Sequence, residues 1–300
     1  MKKNLFQLPD IITPYTGILL DAYGVFWGGN GVGLLPGALD AMKQLVDMGK
    51  VVGILSNSTQ LVDKEIAKIQ AHGVIEGMHY HFFLTSGTVT QHFFANEEIP
   101  FDICNQKYWV LGEYDALKSP HIELFAGSAY TETADIEEAD FIYVVTPQLQ
   151  GMDQTDPDVF QAQVQAIAQH KLPMVCANPD LFAHEGAPPK AVVRQGSIAK
   201  LYESLGGFVF YIGKPHPFIY SAALKCFSQR NVCNSKQILM IGDTPETDIR
   251  GANNMGMGSA LILQTGIMAD RLAKNYQSLE ELPLSDQPDF FIEKLQYHAI

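Results

Sequence analysis

The stretch Gly17-Ile18-Leu19-Leu20-Asp21 constrains this chain more than any other. Three apolar residues run directly into an acid, and the glycine-bearing turns Ala22-Tyr23-Gly24 and Gly28-Gly29 follow. A short apolar run bounded by turn residues reads as a buried strand. The pattern recurs along the chain. Residues 51–55 end at Ser56-Asn57-Ser58-Thr59, residues 208–212 at Gly213-Lys214-Pro215, residues 238–241 at Gly242-Asp243, and residues 260–263 at Gln264-Thr265-Gly266. Residues 38–48 carry apolar side chains at helical spacing behind Pro36 and stop at Gly49. A second helix is expected to open at the Ser56 cluster and run to about His72, before Gly73. Strand, helix, strand, helix is the pattern of βαβ units and a parallel sheet.

From about residue 87 the texture changes. Residues 108–111, 141–146 and 174–177 read as weaker strands, and residues 88–95, 158–170 and 197–205 as helices. Three hundred residues is long for one core. The expected organisation is a discontinuous core, residues 1–86 and 207–300, carrying a second α/β lobe inserted as residues 87–206.

Bulk properties narrow the function. Lys plus Arg number 20 and Asp plus Glu 33, a net charge of −13. That argues against a nucleic-acid surface, which needs a basic stripe, and is compatible with metal cations. Cys104, Cys176, Cys226 and Cys233 are scattered, with no Cys-x-x-Cys pair, as in a reduced, cytoplasmic protein. The opening ten residues are basic but lack a long apolar stretch, so a signal peptide is not expected. No apolar run approaches the roughly 18 residues of a membrane span.

In an open parallel sheet, chemistry collects beyond the carboxyl ends of the strands. The residues found there, in order, are Asp21, then Ser56 with Asn57, then Lys214, then Asp243 and Asp248 in Gly242-Asp243-Thr244-Pro245-Glu246-Thr247-Asp248. Each type has a task in phosphoryl transfer. A carboxylate attacks phosphorus, a hydroxyl and backbone N–H groups hold phosphate oxygens, and a lysine neutralises shared charge. A pair of acids holds Mg²⁺, a hard cation that prefers oxygen ligands.

This order resembles the haloacid dehalogenase superfamily, most of whose members are Mg²⁺-dependent phosphatases. It is most similar to the branch with a large inserted α/β cap, which includes nitrophenyl-phosphate, nucleotide and sugar phosphatases. Gly28 to Gly37, Thr85-Ser86-Gly87, Asn178-Pro179-Asp180, Gly196-Ser197 and Gly213-Lys214-Pro215 followed by His216-Pro217 add to the likeness. The resemblance implies a Rossmann-like core with a parallel sheet plus a cap. It implies Asp21 as nucleophile and Mg²⁺ ligand, the backbone carbonyl of Tyr23 and Asp243 as further ligands, and Asp248 holding metal-bound water or the lysine. Ser56, Asn57 and Lys214 would bind phosphate, and Asn178 and Asp180 would close over the substrate, a small phosphorylated metabolite such as a sugar phosphate or nucleotide. Caps of this branch often pair, so the resemblance allows a homodimer.

One position departs from the pattern. The phosphatases carry an aspartate two residues after the nucleophile, which protonates the leaving oxygen and then activates water. Here that residue is Tyr23. A phenol titrates near 10, and loss of general acid–base help costs roughly 10²–10⁴-fold. A catalytically weakened phosphometabolite-binding protein is therefore the alternative. Asp21-Ala22-Tyr23-Gly24 is also similar to the first motif of 2-haloacid dehalogenases, but keeping Asp243 and Asp248 fits a cation and phosphate better. Several other residues have plain structural readings. His79 and His81 are expected at the surface or hinge, His216 as packed, Trp27 at the site or in the core, Glu246 as solvated and Phe93-Phe94 as cap core.

Overall fold

The computed structural model describes residues 5–29, 31–96, 99–112, 121–185, 190–276 and 278–297. Part of the turn after Gly29, and the first four residues, lie outside them.

Two parallel sheets dominate. The larger has seven strands, in spatial order Leu5–Phe6, Phe290–Ile292, Gly258–Ile262, Ile238–Gly242, Gly17–Leu20, Val51–Ser56 and Phe82–Thr85, every neighbouring pair parallel. Gly17–Leu20 lies inside the sheet, between Ile238–Gly242 and Val51–Ser56, and is buried along its length. Alternation sends successive side chains to opposite faces. Ile18 and Leu20 join the layer containing Ala38, Ala41, Met42 and Leu45 of the helix Ala38–Asp47. Leu19 joins the other layer, with Ile219, Tyr220, Ala223 and Phe227 of the helix Pro217–Ser228. A strand covered by helices on both faces has no polar side to show, which explains its unbroken apolar sequence.

The smaller sheet has five strands, in order Val209–Tyr211, Met174–Cys176, Phe141–Val144, Lys107–Leu111 and Thr131–Glu132, again all parallel. Phe94 packs on Phe125 and stacks on Phe141, so this aromatic pair belongs to the buried layer under that sheet, as its sequence suggests. Two antiparallel hairpins project from it: Gln148–Leu149 with Met152–Asp153, and Phe182–Glu185 with Lys190–Val193.

Two local expectations are corrected. The strand at Val209–Tyr211 was expected to rejoin the larger sheet; it pairs instead with Met174–Cys176 at the edge of the smaller one. Both sheets are parallel and apolar, so strand character alone does not decide between them. The chain returns to the larger sheet through the helix Pro217–Ser228. The helix expected to open at Ser56 starts later, at Val62, and runs to Gln70. Residues 57–61 form a loop, because Ser58 and Ser86 spend their hydroxyls on local polar groups. Among the described residues, no helix is long and apolar enough to cross a membrane.

Candidate active site

The sheet register brings three motifs to one edge. Leu20 pairs with Ile241 on one side and Ile54 on the other. Asp21, Asp243 and Ser56 therefore leave their strands at the same level, at the carboxyl end. Asp21 follows on directly, its N–H bonded to the Ile241 carbonyl at 3.0 Å. The Lys214 loop, 193 residues later, reaches the same point. Lys214 Nζ donates to Asp21 Oδ1 at 2.5 Å and to Asp248 Oδ1 at 2.8 Å. All of these side chains are buried, and Lys214 is only 2% exposed.

Each group is held from behind. Asp248 Oδ2 accepts from the Asp243 and Thr244 N–H groups at 3.1 Å each. Asp243 accepts from Thr244 Oγ1 at 2.9 Å and the Ile267 N–H at 2.6 Å. Asn57 clamps the lysine loop from both sides. Its Oδ1 accepts from Lys214 N at 2.7 Å, and its Nδ2 donates to the Lys214 carbonyl at 3.1 Å and to Asp180 Oδ1 at 2.9 Å. The loop carrying Asn57 is fixed in turn by Ser86, whose hydroxyl donates to the carbonyls of Asn57 and Ser58. Ser56 Oγ accepts from Ser58 N–H at 3.1 Å.

Two glycines make room for Asp243. At Gly24 and Gly266 the backbone has positive φ, and an added Cβ would lie 2.2 Å and 1.8 Å from Asp243 Oδ2. Only glycine tolerates both that conformation and that approach.

The electrostatics follow from three acids sharing one ammonium. Burial holds the Asp21 carboxyl well above the usual range, against the pull of Lys214 and with the help of Asp248 and Asp243. Burial and Asp248 push Asp243 up to about 7. For Lys214, burial opposes the charge but Asp21 and Asp248 outweigh it, so its value is raised well above normal. One ligand atom each from Asp21, Asp243 and Asp248 lies within 4.8 Å of the others. A cluster of hard oxygens with surplus negative charge is the donor set that suits Mg²⁺. Asp248 already spends both oxygens on Lys214 and the backbone, so Asp21 and Asp243 are the better-placed ligands.

Tyr23 does not fill the place of a carboxylate. Its hydroxyl accepts from Lys68 Nζ at 2.6 Å, and Lys68 also pairs with Glu65. Glu65 accepts from Ser58 Oγ at 2.8 Å, which links Tyr23 to the loop after Ser56. Burial, then Glu65, raise the Tyr23 phenol above its ordinary value, against the pull of Lys68. Lys68 and Glu65 carry no motif, and their spacing is that of a solvated helical pair; nothing in the sequence marks them.

Asp180 is brought to the site through Asn57, whereas Asn178 spends its Oδ1 on the Asp180 N–H, a local turn. Both still line the cavity of about 660 Å³ that opens above Asp21. The remaining candidates are structural. His79 and His81 each accept a backbone N–H, from Ile75 and Val52, and His79 is buried rather than on the surface. His216 stacks on Tyr211 at 4.5 Å. Trp27 is buried edge-on to His72 at the cavity wall. Glu246, expected to be solvated, pairs with Arg271 at 2.7 Å.

A parallel α/β sheet with an acid cluster and a lysine at its carboxyl edge, overhung by a second α/β unit, defines a capped hydrolase of the doubly wound class. Residues 18–120 match the family model described as haloacid dehalogenase-like hydrolase, and residues 211–296 match that described as HAD-hydrolase-like. The chain belongs to the haloacid dehalogenase-like hydrolases, in the branch with a large α/β cap. It is 26% identical to 4-nitrophenylphosphatase of Schizosaccharomyces pombe, over 96% of this chain and 95% of that one. Dihydroxyacetone phosphatase of Corynebacterium glutamicum is 24% identical, over 81% and 79%. The crystal structure of a haloacid dehalogenase-like hydrolase from Brucella suis 1330 superposes with a TM-score of 0.76 at 26% identity, covering 95% of this chain and 97% of that one.

Proposed function

We propose that the protein is a Mg²⁺-dependent phosphatase of a small phosphorylated metabolite, working through a phosphoryl group carried on Asp21. The observation that carries this reading is the Lys214 ammonium bonded to both Asp21 and Asp248 beside Asp243. An ammonium so placed neutralises the repulsion between an attacking carboxylate and an incoming phosphate. Asp21, Asp243 and the carbonyl of Tyr23 would hold Mg²⁺, with Asp248 fixing Lys214. The ion, when bound, would draw charge from the phosphate oxygens.

This chain's own residues would do the rest. Ser56, Asn57 and Lys214 would seat the phosphate, and Asp21 would attack phosphorus opposite the leaving alcohol. Tyr23, with Lys68 on its oxygen, would give the alcohol its proton and recover one from the water that hydrolyses the aspartyl-phosphate, so that protons balance over the cycle. Residues 87–206, with the strand Val209–Tyr211 added, would act as a cap, with Asn178 and Asp180 closing the cavity. The likeness to a 4-nitrophenylphosphatase and a dihydroxyacetone phosphatase supports this class of substrate.

A second reading rests on Tyr23. Its hydroxyl is engaged by Lys68 where a free carboxylate would serve as base, so the chain could bind phosphometabolites with weak turnover. A dehalogenase-like role is less well supported, since a clustered acid set suits a cation. The test is phosphate release from a panel of esters with Mg²⁺ and with a chelator. Metal-dependent release supports the phosphatase. Thermal stabilisation by Mg²⁺ and phosphate without release supports the binding protein, and metal-independent halide release from a 2-haloacid would displace both.

A further inference from the structure

The wall of the cavity formed by the inserted unit has a chemistry of its own. Arg194 is 8% exposed and lines the cavity. Its Nη2 donates to Glu185 Oε1 at 2.7 Å and its Nη1 to the Val193 carbonyl at 3.0 Å. Nη1 also lies 3.6 Å from Asp153 Oδ1, which accepts from Gln148 Nε2 at 2.9 Å. The guanidinium is therefore neutralised from two sides. What this wall offers a ligand is the acceptor capacity of the Glu185 and Asp153 carboxylates.

The charge balance disfavours a second anion. Six carboxylates line the cavity against three Lys or Arg side chains. A divalent ion and one phosphate dianion would cancel each other and leave that surplus standing. An additional carboxylate or phosphate on the substrate would meet it in a partly desolvated space, where like charges repel strongly.

We propose that the wall built by Arg194, Glu185 and Asp153 selects phosphate monoesters of uncharged, hydroxyl-bearing alcohols and rejects those carrying a second anionic group. This rests on the phosphatase reading and narrows its substrate class. Hydroxyl groups donate to the carboxylates of Glu185 and Asp153, and Arg194 sets the balance because it is the wall's strong cation.

The experiment compares glycerol 1-phosphate with 3-phosphoglycerate, which differ by an alcohol against a carboxylate. The ratio of their kcat/KM values is read directly, or from their competition against 4-nitrophenyl phosphate if either turns over slowly. A ratio does not depend on the folded fraction of a variant. The wild type is expected to favour the alcohol by about tenfold or more. Glu185→Gln and Asp153→Asn each release Arg194 from a partner and should shrink the ratio severalfold. Arg194→Met leaves both acids unneutralised and should widen it. A wild-type ratio near one, a preference for the carboxylate, or the same ratio in all variants overturns the proposal while leaving the phosphatase reading intact. A wild type inert towards every ester, 4-nitrophenyl phosphate included, removes both.

Discussion

Lys214 Nζ lies 2.5 Å from Asp21 Oδ1 although 193 residues separate the two in the chain. The contact exists because Asn57 grips the lysine's own backbone, N–H and carbonyl together, from the end of the strand beside Asp21. Asn57→Ala removes three hydrogen bonds at once and leaves the buried Lys214 N–H unpaired. It is expected to destabilise the fold by about 1–3 kcal/mol and to lower phosphate release further than stability alone explains. Denaturant unfolding alongside kcat/KM on the folded fraction checks this.

Tyr23 is where activity is most open to change. Tyr23→Phe removes the hydroxyl that Lys68 engages, and kcat on esters of poorly leaving alcohols should fall by about 10²-fold. Tyr23→Asp replaces the phenol with a carboxylate and should raise kcat on the same esters. Both variants should bind phosphate about as well as the wild type, because Ser56 and Lys214 are untouched. Steady-state kinetics with an alkyl and an aryl ester separates the effects: the aryl ester, whose leaving group needs little protonation, should respond less.

How much of this was legible in the sequence depends on the kind of signal. The strands around Asp21, Ser56 and Asp243 were readable because burial on both faces forces an unbroken apolar run, and the acids sit at its end. Lys214 and Asn57 were readable from residue type and order. Val209–Tyr211 was misassigned to the larger sheet because neighbouring parallel strands look alike and only pairing distinguishes them. Lys68, Glu65 and Arg194 were missed for a related reason. Each is an ordinary charged residue whose role arises from a tertiary partner, such as Tyr23 for Lys68, and no local pattern encodes that.

Gly266 tests the metal reading without touching a carboxylate. An added Cβ would lie 1.8 Å from Asp243 Oδ2, so Gly266→Ala must displace that oxygen. The φ of +71° adds strain of about 1 kcal/mol or more. Mg²⁺ affinity, measured by titration calorimetry, should fall at least tenfold, and more Mg²⁺ should partly restore phosphate release.

Asp180 supplies a pH test of stability in the metal-free protein. Burial pushes its carboxyl up to about 6, against Lys214 and Asn57, while an unfolded aspartate titrates near 3.9. Between those values the folded state binds the extra proton, so this group's contribution falls as pH rises from about 4 to about 6. Asp180→Asn keeps an acceptor for Asn57 without the buried charge. Its Tm should exceed the wild type's at pH 8, and the difference should vanish near pH 4. A constant difference across that range would contradict this account of Asp180.

The most direct measurement is where the phosphoryl group goes. The folded protein, mixed with Mg²⁺ and excess 4-nitrophenyl phosphate, is acid-quenched within milliseconds and its peptides are mapped by mass spectrometry. The account predicts one phosphoryl group on the peptide containing Asp21, absent with a chelator and absent in Asp21→Asn, whose phosphate release falls by roughly 10³-fold or more. Phosphate release by Asp21→Asn at the wild-type rate, or a phosphoryl group carried on any other residue, would contradict it.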